Sequence, residues 1–268
     1  EIIKLSGGIP VEVPTSVETN FKITAEQLEA AITPKTKMMW FSSPCNPSGS
    51  VYSKEELTAL VAVLKKYPNI YVVSDEIYEH INYTDDYCSI GSIEGMENNT
   101  ITVNGVAKAF AMTGWRIGFI AAAKWIADGI EKLQGQVTSG TNSIAQKAAV
   151  AAFNGSLDHA YEMKAAYDRR RKLVVEKLRD IPGFKVNMPD GAFYAFPDIS
   201  YYFGKSDGKT TIKDSDDFCS WLLADAFVAT VAGSGFGAPD CMRISTAAAD
   251  EQLVEACDRI KAAVAKLK

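Results

Sequence analysis

Only two histidines, His80 and His159, occur in this 268-residue chain. A triad or a metal centre built on histidine has little raw material here, so acid–base work falls to Lys, Asp, Tyr or a cofactor. Cysteine offers no cluster either. Cys45, Cys88, Cys219, Cys241 and Cys257 are scattered, with no C-x-x-C pair. That pattern reads as reduced thiols of a cytoplasmic protein, not as a disulfide framework or zinc site, and no metal is expected. No apolar run approaches the roughly twenty residues that span a bilayer, which argues against a membrane partner. Positive charge is also short: 28 Lys and Arg against 33 Asp and Glu leave a formal net charge of -5. Without a basic block, a nucleic-acid partner is not expected. The first residues lack the basic head and apolar core of a secretory leader. Internal repeats and low-complexity segments are missing as well.

What is present is ordinary globular material. With 47% hydrophobic and 23% charged residues, the chain has the composition of a packed α/β protein, long enough for a large domain and a smaller one. Alternation over residues 2–13, broken by Gly7-Gly8 and Pro10, predicts a short strand and turn. Thr24 caps a helix over 25–31, and Ser53 with Glu56 forms a capping box opening the next. Residues 37–41, 69–74, 100–103 and 117–122 read as strands, with a turn-rich region around Asp85-Asp86. Helices follow over 123–134, 142–153 and 159–179. In the last of these, Arg169-Arg170-Arg171-Lys172 is expected to form a solvated face. After Pro182-Gly183 the character changes. Residues 184–188, 191–196, 227–231 and 242–246 read as strands, and 214–226 and 250–267 as helices. The division expected is a partial large domain over 1–155, a connecting long helix over 156–180 and a small α+β C-terminal domain over 181–268.

Polar residues cluster just beyond strands, where ligands bind in open α/β sheets. Asn46 follows the first of these strands, Asp75 and Tyr78 the second, and Lys108 the third. Lys108 sits among small and apolar residues, in Val106-Ala107-Lys108-Ala109-Phe110. A partly desolvated lysine loses proton affinity and becomes a usable nucleophile. Each residue has a plain reading as well: a surface lysine that snorkels, a capping Asp75, a core Tyr78, a turn-forming Asn46. Taken together the set suits pyridoxal 5'-phosphate. Its aldehyde needs a lysine, its ring nitrogen a carboxylate and its ring oxygen donors such as Tyr and Asn. Arg116 could meet the phosphate.

Four segments then resemble the fold-type I, pyridoxal-phosphate-dependent aminotransferases of class I/II, the aspartate aminotransferase-like group. They are Ser43-Pro44-Cys45-Asn46-Pro47-Ser48-Gly49, Ser74-Asp75-Glu76-Ile77-Tyr78, the stretch from Lys108 through Thr113-Gly114-Trp115-Arg116-Ile117-Gly118, and Met242-Arg243-Ile244-Ser245. The resemblance implies a three-layer α/β large domain, here partial. It implies Lys108 as the Schiff-base lysine, with Asp75 on the ring nitrogen and Tyr78 and Asn46 on the ring oxygen. Arg116 would hold the phosphate, and Arg243, with Asn46 beside it, the substrate's α-carboxylate. The reaction implied is transamination between aspartate, or a similar amino acid, and a 2-oxo acid, in a cytoplasmic homodimer. Gly233-Ser234-Gly235-Phe236-Gly237 has no Walker lysine and reads as the turn before the Arg243 strand.

Two departures qualify this. Ala107 stands where the family usually has Ser, removing a hydroxyl contact to the phosphate worth about 1 kcal/mol or somewhat more. Glu1 aligns with the middle of the family's large domain, so an N-terminal arm, a phosphate loop and a ring-stacking aromatic residue are expected from a preceding part. Two alternatives therefore stay open: another pyridoxal-phosphate reaction on the same fold, of the C–S lyase or synthase type, or a catalytically incompetent fragment serving only as scaffold.

Overall fold

The computed structural model describes residues 2–84 and 86–268; of the turn-rich region expected around Asp85-Asp86, Asp85 lies outside them. The chain opens with α1 (Ile2–Leu5), one helical turn where a strand was expected. No described strand pairs with it. Residues 2–12 are exposed, so local bonds such as Ser6 N–H to Ile2 O, 3.1 Å, decide the conformation. α2 (Ala25–Ala31) is capped by Thr24, whose side chain accepts from Gln27 N–H. β1 (Met38–Ser42), α3 (Lys54–Leu64), β2 (Tyr71–Asp75), β3 (Thr100–Gly105) and β4 (Gly118–Ala121) follow. The Ser53–Glu56 capping box fixes the start of α3 as the sequence predicts.

These strands form a mixed sheet in the order β1-β2-β3-β4, the first three parallel and β4 antiparallel. Strand pleating sends alternate side chains to opposite faces. Val72 joins the core that α3 builds with Leu57, Leu60, Val61 and Leu64. Its neighbour Tyr71 faces the other way and meets Trp125 of α4 (Lys124–Val137), ring centroids 5.6 Å apart. The parallel register sets Ser42 beside Asp75 and Asp75 beside Val103. β1 and β2 therefore finish level, β3 runs two residues further to Gly105, and the following loops emerge at one edge.

α5 (Ser143–Asn154) leads to α6 (Asp158–Arg179), which reaches the second part of the chain. There β5 (Tyr194–Ala195), α7 (Ser215–Ala226), β6 (Val231–Ala232), β7 (Met242–Ser245) and α8 (Asp250–Val264) form an antiparallel sheet, order β5-β7-β6, packed by helices. Val174, Val175 and Leu178 of α6 join Phe218 and Leu222 of α7 and Ile260 of α8 in one core. Three of the expected strands shrink here, the one over 191–196 to the two residues of β5. Residues 184–188 turn Phe184 and Val186 inward, yet make only the Lys185–Asp198 bridge. The strand expected from Phe227 begins at Val231, because Phe227 takes a left-handed conformation, φ 55°, that closes α7.

The basic run on α6 also departs from its expected solvated face. Arg169 and Arg170 pair with Asp250 at the start of α8. Arg171 is buried, with its guanidinium 4.2 Å over the Tyr83 ring and donating to Pro189 O. The helix turns the third arginine inward, and the aromatic face, a carbonyl and Asp168 replace its water.

Arg171 thereby grips a seam between the two sheets. Asp190 N–H and Gly191 N–H both donate to Gly49 O, Tyr83 N–H to Asp190 O and Ala192 N–H to Ile81 O. Gly49 has φ +70°, and a Cβ there would collide with Pro189 and lie 2.7 Å from Gly191 O. At Gly191 a Cβ would sit 2.5 Å from the Pro44 ring. Gly49→Ala is expected to cost about 1–3 kcal/mol through overpacking and left-handed strain. Urea unfolding checks this: a variant with wild-type midpoint would mean the seam can relax.

Candidate active site

The loops beyond β1, β2 and β3 open into a cleft of about 550 Å³ lined by Asn46, Asp75, Tyr78, Lys108, Trp40 and Phe236, among others. That volume lies inside the roughly 300–1,000 Å³ of small-molecule sites. Its floor follows from the register: Asp75 ends β2, Asn46 lies four residues past β1, and Lys108 lies three past β3. In the loop that carries Asn46, the Ser43–Pro44 and Asn46–Pro47 peptide bonds are cis.

Lys108 is half-buried between the buried Val106 and Ala109. Its Nζ lies 5.6 Å from the Tyr78 ring and 5.7 Å from the Phe193 ring. Asp75 is partly buried, and desolvation pushes its pKa up. The Ile77 N–H donated to Oδ1 at 3.2 Å and the Lys108 charge partly offset that shift. Tyr78, 2% exposed, shares a 2.8 Å hydrogen bond with the Tyr194 hydroxyl. Burial first, and that bond second, hold its phenol above the usual range. Beside Asp75, Glu76 is a buried anchor, accepting from Ser74, Tyr87 and Ser89 hydroxyls at 2.7–2.8 Å. Its carboxylate ties the end of β2 to the loop after it.

Arg243 enters from β7, the other sheet. Its Nη1 donates to Asn46 Oδ1 at 2.8 Å, and its guanidinium lies 4.6 Å from the Tyr194 ring and 5.0 Å from the Phe236 ring. Five of the six residues singled out in the sequence thus gather at one place: Asn46, Asp75, Tyr78 and Lys108 in the cleft, Arg243 bonded to Asn46. Arg116 stands apart from this group. It is exposed, left-handed at φ 54°, and donates to Thr113 O at 3.1 Å. Tyr194, Phe193, Phe236 and Trp40 complete the surroundings of these groups. Nothing local marks them: Tyr194 lies 116 residues from its hydroxyl partner.

An amine over two aromatic rings, a carboxylate, a phenol, an amide and a guanidinium form a donor set that fits the aldehyde, ring nitrogen and ring oxygen of pyridoxal phosphate. The phosphate end is thinner, with Ala107 in place of a hydroxyl and Arg116 outside the cleft.

Fold and cleft define an α/β protein with a lysine and a carboxylate at the carboxyl edge of its parallel strands. The model of the family described as aminotransferase class I and II matches residues 1–260, and the chain belongs to that family, whose cofactor is pyridoxal phosphate. An aspartate/prephenate aminotransferase of Cereibacter sphaeroides is 46% identical over 270 residues, covering 100% of this chain and 68% of that protein. An aspartate aminotransferase of Rhizobium meliloti is 42% identical, covering 100% and 66%. The chain therefore spans about two thirds of the length of these relatives. Among solved structures, the aspartate aminotransferase of R. meliloti superposes with a TM-score of 0.95 at 41% identity, covering 100% and 68%. An aromatic aminotransferase of Pyrococcus horikoshii reaches 0.90 at 40% identity, covering 98% and 69%. The three-layer fold-type I architecture is thus established.

The Asp75 shift carries a pH dependence. Its folded pKa lies above the unfolded value of about 3.8, so ionisation costs stability in the folded state. That cost is absent below the unfolded pKa, grows between the unfolded and the folded pKa, and is complete above the folded one. Asp75→Asn is expected to raise the urea midpoint of the cofactor-free protein at pH 7 and to lose the advantage below about pH 4. Equal midpoints at both pH values would show that the carboxylate is not penalised.

Proposed function

We propose that this chain carries the lysine, ring-binding and carboxylate-binding groups of an enzyme that transaminates aspartate, or a similar amino acid, with a 2-oxo acid. The observation that carries the reading is the convergence of Lys108, Asp75, Tyr78 and the Asn46–Arg243 pair on one cleft. Bound there, pyridoxal phosphate supplies an aldehyde for amines and a ring that takes up electron density from the substrate carbon. Lys108 would hold the cofactor through that aldehyde, and its amine is the group placed to carry a proton at the substrate's Cα. Asp75 holds the proton on the ring nitrogen. Tyr78 donates its hydroxyl to the ring oxygen. Asn46 gives its Oδ1 to Arg243, which leaves its Nδ2 to donate to the same ring oxygen. Arg243 binds the α-carboxylate through its planar fork, a geometry that lysine lacks. Arg116 is assigned to the phosphate; it would have to turn from Thr113 O toward the cleft.

The preference for aspartate is supported by the names of the relatives at 42–46% identity. The five free thiols support a reducing, cytoplasmic compartment. A homodimer is supported by exposed apolar side chains on α4, such as Trp125, Leu133 and Val137 at 63–74% exposure. Among the described residues no helix is long and apolar enough to cross a membrane.

In the full-length polypeptide loaded with pyridoxal phosphate, Lys108→Ala is expected to lower 2-oxo-acid production by at least about 10²–10⁴-fold. Borohydride reduction of the wild type should leave the cofactor on the Lys108 peptide by mass spectrometry. Turnover by the variant, or a label on another lysine, would refute the assignment. Arg243→Lys should raise KM for the amino acid by roughly 10–100-fold, the scale of a lost charged hydrogen bond. An unchanged KM in steady-state assays would move carboxylate binding elsewhere.

A further inference from the structure

We propose that Tyr194 is a positioning residue of this site, setting both the hydrogen-bond direction of Tyr78 and the plane of Arg243; the proposal rests on the roles given to those two residues above. Tyr194 touches the two groups from opposite ends of its side chain. Its hydroxyl meets the Tyr78 hydroxyl at 2.8 Å, and its ring lies 4.6 Å from the Arg243 guanidinium. At 7% exposure it has little access to water, so its hydroxyl depends on the partner it has.

The sheet explains the placement. β5 pairs with β7 so that Tyr194 lies opposite Ser245. Arg243 is two residues back on the same strand and therefore on the same face, the diagonal distance at which long side chains meet across strands. Phe236, 5.0 Å from the guanidinium, lies against it as well, and Asn46 Oδ1 accepts a hydrogen bond from it. Tyr78 reaches the same ring edge-on, with centroids 5.9 Å apart.

Two phenols in contact share one hydrogen bond, so one proton remains for a further acceptor. Tyr78 lines the cleft. When Tyr194 donates to the Tyr78 oxygen, the Tyr78 proton is left for the cofactor's ring oxygen. Donation along such a chain strengthens each link. Tyr194 therefore makes Tyr78 a better donor without touching the cofactor. The ring has a separate effect: stacking holds the guanidinium plane in place before a carboxylate arrives, lowering the ordering cost of binding.

The two effects separate by substitution in the full-length, cofactor-loaded polypeptide. Tyr194→Phe removes the hydroxyl and keeps the ring; Tyr194→Leu removes both. In Tyr194→Phe the midpoint of the pH titration of the cofactor's visible absorption band should move upward by roughly half to one unit, the scale of one hydrogen bond. KM for the amino acid should stay within about twofold of wild type, because the stack is kept. Tyr194→Leu should show the same spectral shift and a KM raised by about threefold to thirtyfold. Restoration of KM but not of the titration by Phe is a pattern that a merely structural tyrosine does not produce. A wild-type band whose midpoint is unmoved in Tyr194→Phe overturns the proposal, and Tyr194→Phe remains decisive if the Leu variant does not fold. A wild type with no visible band would overturn the assignment of Lys108 itself, and this proposal with it.

Discussion

The seam at Gly49 is the constraint on which the site depends. Two donors, Asp190 N–H and Gly191 N–H, converge on one carbonyl, and the backbones approach so closely that neither Gly49 nor Gly191 has space for a side chain. Through it the Asn46 loop of the first sheet is held against the strand that presents Tyr194, and β7 with Arg243 follows by pairing. Arg171 seals the junction from α6 by stacking on Tyr83, whose hydroxyl donates to Ala192 O. A shift of an ångström here would part Arg243 from Asn46 and Tyr78 from Tyr194 together. Glycine serves because the turn requires positive φ and the neighbour requires empty space.

The cleft gathers groups that resist burial. Asp75 is held above its ordinary pKa by desolvation, and Tyr78 likewise. Such perturbed groups mark functional sites, and for the Asp75 carboxylate the placement serves chemistry at a cost in stability. The compensation lies away from the cleft. One core packs α3 against β2, and another packs α6, α7 and α8 around Phe218. Glu76, adjacent to Asp75, is a useful contrast. Three hydroxyls accompany it into the interior, which suits an anchor, whereas Asp75 faces the cleft with fewer partners.

Much of the fold was legible because its signals are local. Thr24 and Ser53 mark helix starts by chemistry that acts within four residues, and the apolar runs of β1 and β2 mark buried strands. Sequence and structure part where the outcome depends on a distant partner. Residues 2–13 alternate like a strand, but no described strand pairs with them, and residues 2–5 close a helical turn instead. Residues 184–188 do turn inward yet find no ladder. The arginine run of α6 looked solvated because nothing near it in sequence announces Tyr83, the surface that receives Arg171.

The candidate site divides along the same line. The sequence by itself determined which chemical groups are available: a lysine, a carboxylate, a phenol and an amide, each just beyond a strand or in a motif of the aminotransferase family. Short-range backbone rules place such groups at strand ends, and those rules operate within a few residues. Only the tertiary structure decided which groups meet. It set Arg243 against Asn46 across 197 positions and Tyr194 against Tyr78 across 116, and it left Arg116 outside the cleft. The reason is physical: such pairings are fixed by sheet register and by the close approach at the glycine seam, and neither is encoded in any one segment of the chain.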